Sequence, residues 1–160
     1  MSRTLRLSIL GGCAAIVALV IAMVLSGAAN PRIIPGLPDE GAFTRWMLPL
    51  CKLAMDAMGV LTVGLLLIAT AFLPNDKGLL SPTALGYVKA SSWTALAWAA
   101  AGAGTLVFSL SETLGTPVFE VLGGNELTSY ASQVPQGIAL VLVVLFATAV
   151  ALFSRGAITA

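Results

Sequence analysis

The sequence contains no histidine, and only 9% of its 160 residues are charged. Lacking histidine, the chain lacks the commonest metal ligand and the side chain that most readily titrates near neutral pH. Soluble domains carry roughly a quarter charged residues, so a deficit this deep excludes an ordinary soluble fold. A net charge of +1 gives a nucleic-acid partner no electrostatic footing. Cysteine is scarce too, at two residues. Cys13 and Cys51 lie in different parts of two different apolar runs. A disulfide needs Cα atoms within about 7 Å, so two free thiols are expected. No catalytic constellation assembles either. Ser, Asp and Lys occur, but no glycine-rich phosphate loop opens a polar helix. The chain is read as not an enzyme.

Apolar surface is what the sequence has in excess. Hydrophobic residues make up 58% of it, and the mean hydropathy is +0.98. The apolar runs are continuous rather than alternating, which points to helices and away from barrel strands. The sequence predicts an all-α polytopic membrane protein whose single domain is 1–160, with the lipid bilayer as its first partner. Four transmembrane helices are expected at about 7–29, 43–73, 83–113 and 136–154. The first is read as a span, because its apolar stretch outlasts the core of a usual signal peptide. A short amphipathic helix is expected at about 125–133, on the outer surface. Leu127, Tyr130, Ala131 and Val134 supply its helical spacing.

Basic residues flanking the spans set orientation. Arg3, Arg6, Lys77, Lys89 and Arg155 fall at one set of span ends. Arg32 and Arg45, with Asp39, Glu40, Glu112, Glu120 and Glu126, fall at the other, where Lys and Arg are scarcer. The chain is therefore expected in the plasma membrane with both termini cytoplasmic. Ser81-Pro82 reads as a helix start. Pro31, Pro35 and Pro38 stiffen the connector before the second span.

The second span opens with "RWMLPLCKLAMDAMGVLTVG", Arg45 to Gly64. At about 100° per residue, its polar and sulfur-bearing groups sort into two stripes. Met47, Met58, Cys51, Thr62 and Met55 fall on one, and Lys52, Arg45 and Asp56 on the next. Thiolate and thioether ligands suit Cu(I), which makes Cys51, Met55 and Met58, with Met47, a candidate copper stripe. Methionine and free cysteine also fill gaps in apolar helices, so packing is the competing reading. Charges at such depth are costly and face a bundle interior by default. Lys52 and Asp56 are placed to pair at i, i+4. Glu112, near the exit of span three, is expected within reach of Arg45 or Lys52. In "WAAAGAG", Ala97, Ala100, Ala101 and Gly104 offer a small-residue face for close helix packing.

Three phrases carry a resemblance to a known family. They are "GLPDEGAFTRWMLPLCKLAMDAMGVLTVGLLLIATAFLP", "LSPTALGYVKASSWTALAWAAAGAGTLVFSLSETLGTP" and "SYASQVPQGIAL". Together they resemble the first membrane segments of actinobacterial copper resistance D proteins, from about Gly36 to Leu140. The most specific matches are Arg45-Trp46, Asp56, Leu61-Thr62-Val63-Gly64 and Gln136-Gly137. The resemblance implies copper transport or resistance, in proteins often fused to a cytochrome oxidase assembly region. It implies as partners the rest of such a protein or a respiratory complex. It extends the expected polar network to Arg45, Lys52, Asp56, Glu112 and Gln136. Members of that family are longer than this chain. A structural or assembly module that docks on a respiratory oxidase, without copper of its own, is the alternative. A proton- or ion-handling role centred on Asp56 is a third possibility.

Overall fold

The computed structural model describes residues 3–27, 39–73 and 81–159. Every regular element among them is helical. In chain order these are α1 (Arg3–Leu25), α2 (Gly41–Leu67), α3 (Pro82–Leu114), α4 (Val118–Gly123), α5 (Glu126–Gln133) and α6 (Pro135–Thr159). A π-helical turn, Ile68–Phe72, extends α2. Three stretches are long and apolar enough to cross a membrane: Gly41–Phe72, Pro82–Leu114 and Pro135–Gly156. The apolar part of α1, Gly11–Leu25, is shorter. These lengths and compositions are those of a membrane protein. The proline-rich connector and the loop holding Lys77 lie outside the described residues.

Local chemistry explains the helix ends. Ser81 Oγ accepts from the Ala84 amide at 3.3 Å, and Pro82 follows in the first turn. α3 closes on Gly115, whose φ of +64° suits a residue without Cβ. There the Thr116 amide donates to Ser111 O and the Gly115 amide to Glu112 O, a Schellman arrangement. Val134 is extended, and Pro135 starts α6 without a lost donor. Pro49 lies inside α2, which continues through it.

α3 is the central helix, with α2 on one flank and α6 on the other. Contacts step down α2 as they step up α3, so the two are antiparallel. Thr44 meets Ser111, Cys51 meets Gly104, Gly59 meets Trp98 and Thr62 meets Thr94. α6 repeats this on the other side, with Val144 on Gly102 and the Ala151 carbonyl on Ser92. α1 lies against α2, and only Met23 of its described side chains is buried.

The buried stripe of α3 includes Ala84, Val88, Ser91, Ala95, Ala99, Gly102, Thr105 and Ser109. Steps of three and four residues keep it on one seam, and its small side chains let both neighbours approach closely. Of the expected packing face, Gly104 packs on Cys51, but Ala97 and Ala100 do not take part. Ala97 and Ala100 are exposed, while Ala101 and Gly104 are half-buried. "WAAAGAG" is small all the way round, so its spacing alone does not fix its rotation. Trp98 contributes to that rotation by laying its ring over Gly59.

One end of the bundle is capped by α4 and α5. Leu110, Val121 and Tyr130 form a buried cluster there, with Leu106 and Leu127 packed against it. A Cβ at Gly137 would run into the Tyr130 carbonyl, so glycine lets α6 pass close to α5. The α5 helix forms where expected, but Tyr130 is turned into protein and Val134 is exposed. α5 packs on α3, α4 and α6.

Candidate functional site

Beside the α2–α3 seam, α2, α3 and α6 line an open cleft of about 430 Å³. Lys52, Asp56, Thr105 and Gln136 give it polar walls, and Met55, Ala139, Leu140 and Val143 an apolar lining. Helical spacing builds it. Positions 52, 55 and 56 share one face of α2, and 136, 139, 140 and 143 share one face of α6. Thr105 comes from α3, and its hydroxyl donates to the Ala101 carbonyl at 2.8 Å.

Lys52 and Asp56 are both exposed and form no ion pair with each other. The expected i, i+4 pair is therefore not made, and Asp56 does not face a closed interior. The cleft brings together a cation, an anion, an amide, a hydroxyl and a thioether within a largely apolar stretch. Lys52, Asp56 and Gln136 of the expected polar network share it; Arg45 and Glu112 do not line it.

Arg45 finds its partners locally. Its Nη2 lies 2.7 Å from Asp39 Oδ1 and its Nε lies 3.3 Å from Glu40 Oε1. Two carboxylates just ahead of the helix reach the guanidinium before a distant Glu112 can. Glu112 is exposed near the end of α3. Its charge acts on Tyr130 instead: burial first, and then Glu112, push that phenol above its ordinary pKa. The Thr113 hydroxyl opposes this, yet Tyr130 Oη closes no hydrogen bond of good geometry.

The sulfur stripe divides. Cys51 points its Sγ at Gly104, where a Cβ would stand 2.9 Å away. Met55 lines the cleft, with its Sδ 4.0 Å from where a Cβ on Gly102 would sit. Met47 and Met58 are half-buried. Among the described residues no three His, Cys, Asp or Glu side chains gather as a metal site. Both thiols are free.

Sequence reasoning missed Thr105 and, beyond Gln136, the α6 lining. The spacing of Gln136, Ala139, Leu140 and Val143 was a readable signal. It also missed the interhelical hydroxyl ties. Ser111 Oγ donates to the Thr116 carbonyl at 2.6 Å, so Thr44 is the donor in the 2.9 Å contact with Ser111. Thr62 Oγ1 lies 2.7 Å from the Met58 carbonyl and 2.9 Å from Thr94 Oγ1. At the uncapped end, Arg155 stacks over Trp93 at 5.2 Å and donates to Ser92 Oγ at 3.2 Å. No known protein family, curated protein or solved structure matches this chain.

Proposed function

We propose that this chain is a multi-pass module of a copper transport or resistance system in the plasma membrane. In this reading α1 is a fourth span, α4 and α5 lie on the outer face, and both termini are cytoplasmic. The basic residues Lys89 and Arg155 at the uncapped end support that orientation, opposite Asp39, Glu40, Glu112, Glu120 and Glu126 at the capped end. The resemblance to copper resistance D proteins supplies the functional class.

The observation that carries the reading is the cleft. A thioether, Met55, shares it with Lys52, Asp56 and Gln136 within an apolar helix bundle. Ionisable side chains at such depth mark substrate or ion paths by default, and soft sulfur favours Cu(I). Copper is cargo here, passed through the module toward the rest of a copper-resistance protein or an oxidase-assembly partner. The test is Cu(I) binding by the purified chain, compared with Cys51→Ser, Met55→Leu and the double variant. Binding no greater than that of the double variant abandons copper in this segment.

One observation favours a second reading. Lys52 and Asp56 are exposed on the chain's own surface, as expected of a module that docks on a respiratory oxidase or another membrane partner. Recovery of an oxidase subunit with the wild-type chain, lost in Asp56→Leu, supports this reading. Equal recovery with both chains removes it.

A further inference from the structure

We infer that two copies of this chain pair through α2, with Lys52 of each reaching Asp56 of the other. The inference rests on α2 crossing a membrane and is independent of copper.

Depth sets the problem. Asp56 stands at the midpoint of the 32-residue helical run Gly41–Phe72, and Lys52 lies one turn nearer the capped end. Both are exposed, and a charge facing hydrocarbon there is costly. Something other than lipid must cover them.

Among the described residues nothing does so. Arg45 is engaged by Asp39 and Glu40. Gln136 and Thr105 bring dipoles to the cleft but no charge. Lys52 and Asp56 do not pair with each other. The apolar part of α1, Gly11–Leu25, contains no acidic or basic residue to offer.

The uncovered face continues beyond the charges. Val60, Val63 and Leu67 prolong it at helical spacing and are 74%, 52% and 52% exposed. A Cβ at the neighbouring Gly64 would meet nothing within 4 Å, so another backbone can come close. α2 thus presents one stripe, charged toward the capped end and apolar toward the other.

That stripe is complementary to itself. It carries one cation and one anion about 6 Å apart along the helix axis. A twofold axis along the membrane normal sets two α2 helices side by side and parallel, each offering the same patch. The four-carbon stem of lysine spans the one-turn offset, so each Lys52 reaches Asp56 of the partner subunit. Two ammonium groups and two carboxylates then form a ring of zero net charge. Val60, Val63 and Leu67 pack below it. An unrelated protein would need both charges in the same register; a second copy has them by construction.

The test uses the full chain in native membranes and in mild detergent. Wild type should be dimeric. Lys52→Asp and Asp56→Lys should each lower the dimer fraction by at least about tenfold, because twofold symmetry removes both charge pairs at once and sets like charges together. Co-expression of those two single variants under different tags should restore a mixed dimer. So should the double swap, Lys52→Asp with Asp56→Lys, for the homodimer. In a chain carrying Cys13→Ala and Cys51→Ala, Val60→Cys should cross-link two copies and Leu152→Cys should not. This arm keeps the charges intact and reads out even if a charge variant misfolds. A wild-type monomer overturns the inference. So does a dimer indifferent to both reversals, or a Val60→Cys adduct with another protein in place of itself.

Discussion

The α2–α3 seam and the adjacent cleft are built from the same helix, on faces less than half a turn apart, yet they treat polar groups in opposite ways. On the seam, Thr44 meets Ser111 and Thr62 meets Thr94 and the Met58 carbonyl. Cys51 and Gly59 are covered by Gly104 and Trp98. In the cleft, Lys52 and Asp56 have no ion-pair partner among the described residues. The difference follows from the groups themselves. A hydroxyl in a helix can turn back to a carbonyl one turn earlier and costs little in an apolar setting. An ionised side chain has no such local remedy and needs a counter-charge or water. Hydroxyls can therefore serve the bundle alone, while the charges require a further occupant.

Several substitutions would break or sharpen this contrast. The largest effect is expected on the seam. Gly104→Leu forces side-chain volume where a Cβ alone would stand 2.9 Å from Cys51 Sγ. It should cost about 3 kcal/mol, the upper range for overpacking, read as a lowered unfolding midpoint in detergent. Gly64→Ala, with open space around it, is the control and should move that midpoint little.

Thr44→Val comes next. It leaves buried Ser111 short of a donor and should cost about 1 kcal/mol. Adding Ser111→Ala should cost less than the two single effects combined, which a double-mutant cycle measures.

Lys52→Leu tests the cleft side. It removes a charge without opening the seam, so the unfolding midpoint of the monomer should hold or rise by less than about 1 kcal/mol. A loss as large as that of Gly104→Leu would make Lys52 a bundle residue and end the contrast.

The smallest effect concerns Tyr130. Its phenol keeps its proton to higher pH in the folded chain than in the unfolded one. Its contribution to stability is therefore complete below the unfolded pKa of about 10 and is lost as pH rises beyond it. Tyr130→Phe should flatten this alkaline decline and leave stability at neutral pH unchanged, because the hydroxyl forfeits no hydrogen bond. A pH series of unfolding midpoints checks both.

Helix positions were legible in the sequence because their signals are local. Ser81-Pro82 starts α3 and Pro135 starts α6, each within a residue or two of expectation. The sorting of α2 into a sulfur stripe and a charged stripe was legible only in part, because Met55 joins Lys52 and Asp56 in the cleft and Arg45 does not. Cys51 does turn to α3, while Lys52 and Asp56 turn to the cleft. What stayed hidden depends on distant chain segments. The rotation of α3 could not be read from a run of Ala and Gly that is small on every side. Glu112 looked like the acid for Arg45, but Asp39 and Glu40 are tethered a few residues away and win by proximity. The inward turn of Tyr130 needed α4, whose Val121 completes the cluster.

The central position of α3 also fixes a sequence of events. α2 and α3 are consecutive long helices and can close their seam as a hairpin before α6 is made. The cleft cannot exist at that stage, because Gln136, Ala139, Leu140 and Val143 all belong to α6. A nascent chain halted after α5 would hold a finished seam and a bare flank of α3. The cleft is thus the last feature to be assembled, and the arrival of α6 is the checkpoint that separates a stable hairpin from a complete module.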